Sequence, residues 1–268
     1  MIPKYCLTEW RHQAPWVEDY QVEQDLIISR ALVALYNEPH IGATLAFRGG
    51  TALNKLFIQP PARYSEDIDF VQIKAAPIGD TIDAVRNAMD HWLGEPKRKL
   101  TERSAKLIYR YNTIENTTAK LKIEINTTEH FHVLPLTKHI FQMSSEWFEG
   151  NSTVLCYHLD ELMGTKLRAL YQRRKGRDLF DLWFVSKEKL VDIKNVVSIF
   201  EKYAEYNNEP VTRALFERNL YLKKMNKDFQ SDISALLPAN STWNFEQALQ
   251  MIEDVFIPNL KGDRWRRE

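Results

Sequence analysis

Asp67 and Asp69 stand two residues apart in DIDFVQI, residues 67–73, whose alternation and β-branched content predict a strand. Strand residues i and i+2 share a face, with Cα atoms roughly 6.5–7 Å apart. The two carboxylates therefore point the same way and can converge on divalent cations, without which they would repel each other. Ile68 and Phe70 point the other way and anchor the pair in a core. Hard oxygen ligands suit magnesium, with manganese as the alternative, because waters and phosphate oxygens complete the shell. Two such metals about 3.5–4 Å apart would activate an attacking oxygen and stabilise a leaving pyrophosphate. An acidic pair by itself is also common on solvated strand ends, so its neighbours decide.

Gly49-Gly50 lies upstream of the pair, between a short apolar strand, Leu45 to Phe47, and a helical pattern from Thr51 to Phe57. Glycines there let the backbone approach a triphosphate, and the amides opening a helix at Thr51 offer an anion site. A plain turn is the alternative for the glycines alone. Glu124 is the candidate third metal ligand. It lies in AKLKIEIN, residues 119–126, whose Leu121, Ile123 and Ile125 face one side and Lys120, Lys122 and Glu124 the other. The competing reading of Glu124 is a solvent-facing residue of an edge strand.

Residues 18–36 and 79–93 carry the spacing of amphipathic helices. Gln59-Pro60-Pro61 ends the helix after the glycines, since proline lacks an amide donor and restricts its predecessor. A further strand is expected at Leu107 to Tyr111. From His158 onward strand signals nearly vanish, and helical patterns run over about 158–174, 177–187, 192–206, 210–228 and 243–256. The expectation is an α+β chain: a mixed sheet flanked by helices over residues 1–155, including an N-terminal helix, and an all-helical half over 156–268.

The composition, 44% hydrophobic and 27% charged over 268 residues, is that of a globular protein with room for a large core. No apolar run approaches the roughly 18 residues of a bilayer span, and the first residues lack a signal-peptide core, so no membrane association and a cytoplasmic location are expected. Cys6 and Cys156 can supply neither a disulfide framework nor a thiolate zinc site. Net charge is zero, yet residues 97–110 and 166–177 are strongly basic, and the tail adds Lys261, Arg264, Arg266 and Arg267. These stretches are either solvated faces or phosphate-binding surfaces. His130 and His132, near Glu129, read as polar surface more readily than as metal ligands.

A second block, KLRALYQRRKGRDLFDL at 166–182, puts Lys166, Leu170 and Arg173 along one side of a helix and Asp178 near the positive end of the next. Lys166 could hold a triphosphate as a point charge. Asp178 could orient Lys166 or act as base on an incoming hydroxyl, and a structural salt-bridge cluster that includes Asp181 is the alternative.

Taken together, GGTAL, the R-x-S-x-D-x-D of Arg63, Ser65, Asp67 and Asp69, and the distant block with Lys166, Arg177, Asp178 and Asp181 resemble the AbiEii/AbiGii family, with its MenT-like toxins, of the nucleotidyltransferase superfamily. The resemblance covers roughly residues 45–185. It implies a nucleotidyltransferase-type sheet and a toxin of a toxin–antitoxin or abortive-infection system active in phage defence. It also implies transfer of nucleotides from an NTP to an RNA acceptor, a tRNA 3′ end, that blocks translation. On that view Asp67, Asp69, Lys166 and Asp178 are catalytic, and Asp67, Asp69 and Glu124 hold metal. Gly49, Gly50, Thr51, Arg63, Ser65 and Lys166 bind the triphosphate, and the helical half contributes to the catalytic cleft. A separate antitoxin is the implied partner. Two departures stand out: Gly50 occupies the position where many nucleotidyltransferases have serine, leaving Thr51 to substitute, and the gap from Gly50 to Asp67 is long. Competing functions are modification of a small molecule or a protein, and a non-catalytic regulatory module.

Overall fold

The computed structural model describes residues 2–266, so Arg267 of the basic tail lies outside the described residues. The chain divides into two compact units, Met1–Tyr157 and His158–Glu268.

The first unit is built on a mixed seven-stranded sheet. Its strands are β1 (Leu45–Arg48), β2 (Asp67–Gln72), β3 (Lys97–Leu100), β4 (Ser104–Asn112), β5 (Thr118–Asn126), β6 (Thr137–Ser145) and β7 (Phe148–Cys156), in the spatial order β3-β4-β5-β2-β1-β7-β6. β2 runs parallel to β5 and antiparallel to β1, which in turn runs parallel to β7. Leu121, Ile123 and Ile125 of β5 are fully buried together with Ile68 and Phe70 of β2, as the alternation required. Two helices cover that side, α2 (Asp19–Tyr36) and α5 (Gly79–Leu93): Tyr36 packs edge-on to Phe70, and Tyr109 of β4 donates to Asp90 at 2.9 Å. The opposite side of β2, β4 and β5 is left half-open, and it carries the charged residues.

Three other helices complete this unit: α1 (Lys4–Trp10), α3 (Pro39–Thr44) and α4 (Gly49–Leu56). The amphipathic pattern of α2 understates its burial, since its polar residues Gln21, Glu23, Gln24 and Asp25 are buried as well. Their hydrogen bonds explain this, because a buried polar group is tolerated only when paired. Asp25 accepts the indole N–H of Trp10 at 2.8 Å and of Trp16 at 3.3 Å, and pairs with Lys55 of α4 at 2.6 Å. Gln24 Nε2 donates to the carbonyls of Glu66 and Lys120, each at 3.0 Å, which ties the starts of β2 and β5 to one helix.

Three strands escape the sequence patterns. β3 is KRKL, exposed throughout, with no alternation to read. β6 and β7 are mostly polar, bury only a few side chains each, and include Gly150 and Asn151, which are poor strand formers.

The second unit is helical, with no strand among the described residues. It contains α6 (Leu159–Gln172), α7 (Gly176–Lys187), α8 (Ile193–Tyr206), α9 (Arg213–Lys224), α10 (Lys227–Ser231) and α11 (Phe245–Met251), the last running on into a wider turn and a tight one to Asn259. The expected helix over 210–228 is two helices, because Asn226 accepts from the Phe229 amide at 2.8 Å and starts a new one. α6 and α8 approach closely at Gly164, where a Cβ would collide with Ile199. Lys223 of α9 donates to the carbonyls of Leu170 and Tyr171, satisfying the otherwise orphaned C-terminal end of α6. No helix among the described residues is long and apolar enough to cross a membrane.

Candidate active site

The register of the sheet assembles the acidic residues. Asp67 lies opposite Lys122 and Asp69 opposite Glu124 in the β2–β5 pair, while Asp69 also faces Arg48 of β1, and Glu124 faces Lys106 of β4. Directly opposed residues share a face. One rank therefore crosses five strands as Lys99, Lys106, Glu124, Asp69 and Arg48, with Lys97, Lys122 and Asp67 in the next rank. The edge-strand reading of Glu124 falls here: β5 is an inner strand, and its glutamate stands beside Asp69.

Charges compensate closely across the two ranks. Lys122 Nζ lies 2.7 Å from Asp67 Oδ2 and 3.4 Å from Glu124 Oε2, and Lys106 Nζ lies 2.8 Å from Glu124 Oε1. Burial opposes ionisation of Glu124, but the Lys106 hydrogen bond and the two lysine charges hold its carboxyl below the usual range. Asp69 behaves oppositely: burial first, then the charge of Asp67, raises its pKa against the pull of Arg48 and Lys122. A carboxylate raised in this way gains most from an added cation.

The glycines sit against this pair. α4 opens at Gly49 itself rather than at Thr51, and Gly49 has φ +83°, a backbone region that disfavours any side chain. A Cβ on Gly49 would stand 2.5 Å from Asp69 Oδ2, and one on Gly50 would stand 2.5 Å from Arg63 Nη2 and 3.1 Å from Ser65 Oγ. The loop is thus pressed between the Asp69 carboxylate and an arginine. Arg63 is only 2% exposed, and its Nη1 donates to the Tyr64 carbonyl at 2.9 Å. Thr51 is buried too, with its hydroxyl 2.8 Å from Ser65 Oγ and beside the Asp67 carbonyl. Asn54 completes the brace: Nδ2 donates to the Gly50 carbonyl at 3.0 Å, and Oδ1 accepts from the Ala62 and Arg63 amides. Arg63, Thr51 and Asn54 stand behind the loop, and the long stretch from Gly50 to Asp67 is the segment that folds back to place them.

The donor set fits a divalent cation in kind: hard carboxylate oxygens on one face, with an ammonium already drawn between two of them. Among the described residues no three acidic, histidine or cysteine side chains close on one point; the oxygens of Asp67 and Glu124 turn to lysines instead. His130 and His132 are spent on backbone carbonyls, of Gln72 and Leu134, each at 2.8 Å. Glu129, 8% exposed, pairs with Arg48 at 2.9 Å. Of the charged residues around these acids, sequence reasoning met Lys122 only on Glu124's face, Glu129 only beside the histidines and Lys106 only within a basic stretch, and it passed over Arg48. The one available signal for the lysines was the alternation that had already placed Lys122 on Glu124's face.

The second block forms its own cluster within the helical unit. Lys166, 7% exposed, lies 3.2 Å from Asp178 and 3.0 Å from Asp181. Arg173 adds two bonds to Asp178, at 2.7 and 2.9 Å. Burial would raise the Asp178 carboxyl, but the charges and hydrogen bonds of Lys166 and Arg173 bring it down to about 2. Arg177 turns aside to Asp232 at 3.7 Å, and Arg168 lies over the Tyr203 ring at 4.7 Å.

The mixed sheet, with acids on β2 and β5 beside a glycine-opened helix, defines the nucleotidyltransferase class. More narrowly, the chain belongs to the family of AbiEii nucleotidyl transferase toxins of type IV toxin–antitoxin systems, whose sequence profile matches residues 30–251. The fold is similar to that of MenT4, a nucleotidyltransferase toxin from Mycobacterium tuberculosis H37Rv, at 19% identity and a TM-score of 0.71, covering 97% of this chain and 91% of that one. It is also similar to JHP933 from Helicobacter pylori, at 18% identity and a TM-score of 0.55, covering 90% and 92%. No curated protein matches the chain.

Proposed function

We propose that this toxin transfers nucleotides from a nucleoside triphosphate to an RNA acceptor, the 3′ end of tRNA, with magnesium held by Asp67, Asp69 and Glu124, and that it thereby blocks translation. The observation that carries the reaction class is the register that sets Asp69 beside Glu124 and against Gly49. When bound, the metal would supply charge neutralisation at the transferring phosphate and a more acidic attacking hydroxyl. The amides of Gly49 and Gly50 bind phosphate oxygens at the mouth of α4. Ser65 borders that loop, and Arg63 and Thr51 act from behind it, fixing its distance from Asp67 and Asp69. Within the helical unit Asp178 holds Lys166 at 3.2 Å, which supports an orienting role for Asp178 over that of a base.

An RNA acceptor is favoured over a small molecule by the rest of the charged face. Lys97, Lys99, Arg110 and Lys120 are exposed, and the strand register puts them on the same side of the sheet as the carboxylates. A row of cations leading away from the reacting centre suits a chain of phosphates. On this reading the reaction takes place in the cytoplasm, where tRNA and triphosphates are found, and serves antiviral defence; the type IV toxin–antitoxin family supports a cognate antitoxin. Incubating the toxin with each labelled triphosphate, total tRNA and total protein tests this reading. Label at tRNA 3′ ends is expected; label confined to protein or to small molecules would overturn the choice of acceptor.

A further inference from the structure

Lys122 occupies the position a divalent ion would need. It lies opposite Asp67 and two residues from Glu124, on the inner strand β5, and its ammonium bridges the two carboxylates at 2.7 and 3.4 Å. Glu124's other oxygen is held by Lys106, and Asp69 lies under the field of Arg48 and Lys122. With Glu129 paired to Arg48, four carboxylates share three side-chain cations, and in that set Lys122 and Lys106 are already committed to Asp67 and Glu124. A bare divalent ion entering it must evict an ammonium that then has no partner. A divalent ion arriving with a triphosphate brings its own anion, and the evicted ammonium can move to a phosphate oxygen.

We propose that Lys122 is an internal counter-cation: it holds Asp67 and Glu124 in the metal-free protein, then transfers to phosphate, so that metal and triphosphate bind as a coupled pair. Nothing covalent changes; one ion pair is exchanged for another. The coupling is reciprocal, since whatever the triphosphate does for metal affinity the metal does for triphosphate affinity. Lys106 is placed differently, on the outer oxygen of Glu124, and can stay there throughout.

The inference rests on reading Asp67, Asp69 and Glu124 as metal ligands, and the test separates the two ideas. Binding of Mn2+ is followed by electron paramagnetic resonance for wild type, Lys122→Met, Lys122→Arg and Asp67→Asn, with and without inorganic tripolyphosphate as a base-independent probe. Lys122→Met is expected to bind Mn2+ alone about tenfold more tightly than wild type, because the competitor is gone. It is also expected to lose most of the enhancement by tripolyphosphate, and Lys122→Arg to retain it. If Lys122→Met fails to fold, as judged by thermal unfolding, Lys122→Gln replaces it with the same expected outcome. Unchanged or weaker Mn2+ binding in Lys122→Met, or in Lys122→Gln where it stands in, with binding lost in Asp67→Asn, would overturn the exchange and leave the metal site standing. Equal Mn2+ binding in wild type and Asp67→Asn would overturn both.

Discussion

Gly49→Ala separates the geometry of the site from the stability of the fold. At φ +83° an alanine is in the left-handed region, at a cost of about 1–2 kcal/mol. Its Cβ would also stand 2.5 Å from Asp69 Oδ2, closer than real Cβ contacts allow, so the carboxylate must retreat by roughly 1 Å. Displacements of that size at a reacting centre cost about a hundredfold in rate. Gly94 provides the control, since it has φ +75° with nothing within 4 Å of an added Cβ. Gly94→Ala therefore carries positive-φ strain, at ψ −174° in a region that glycine alone readily adopts, without the collision. Both variants are expected to melt a few degrees lower, about 2–4 °C per kcal/mol in a unit of this size. Only Gly49→Ala is expected to lose nucleotide transfer, measured as label incorporated into RNA at a temperature where both remain folded, and to lose toxicity on expression. Full activity in Gly49→Ala, or the same loss in Gly94→Ala, would refute the claim that the missing Cβ is what keeps Asp69 in place.

Glu124→Gln keeps shape and removes charge, and is expected to cut transfer at least a hundredfold while leaving the melting temperature within a few degrees; unimpaired transfer would remove Glu124 from the metal ligands. Asp178→Asn removes the anion that Lys166 and Arg173 share; because Lys166 keeps Asp181 at 3.0 Å and Arg173 is half-exposed, the cost is about 2–3 kcal/mol near neutral pH. Its pH dependence has a definite sign. With the folded pKa near 2, below the unfolded value of about 3.9, the carboxylate's contribution is fully present above about pH 5 and is lost as pH falls toward 2. Denaturant unfolding of wild type and variant should therefore converge in that acidic window and differ above it. Lys223→Met uncaps the C-terminal carbonyls of α6 and is expected to destabilise by about 1–3 kcal/mol, read from the same unfolding curves. Paired substitution of Lys97 and Lys99 by Ala is expected to weaken tRNA binding and to flatten its salt dependence by up to about two units of slope, seen by filter binding at several salt concentrations.

The sequence by itself determined the local pieces. Alternation put Asp67 and Asp69 on one face, helical spacing marked α2, α5 and the helices after His158, and the motif residues identified the family. These are properties of short windows, where period and turn chemistry dominate. It did not contain the pairing of β2 with β5, strands separated by three elements of chain. Register between such strands is fixed by which hydrophobic faces the whole unit can bury together, here Ile68 and Phe70 with Ile123 and Ile125. That one decision put Glu124 beside Asp69 and Lys122 between two acids, which no spacing along the chain could reveal. Packing also decided which motif residues are reachable. Arg63 and Thr51 read as substrate contacts in the motif, yet burial sets them behind Gly50, because the glycine's bare Cα is the only surface that fits against a guanidinium so near. The same holds for α2, whose polar residues looked solvent-facing until Trp10, Trp16 and Lys55 closed over Asp25. The motif residues were legible in one dimension; their partners were settled by burial in three.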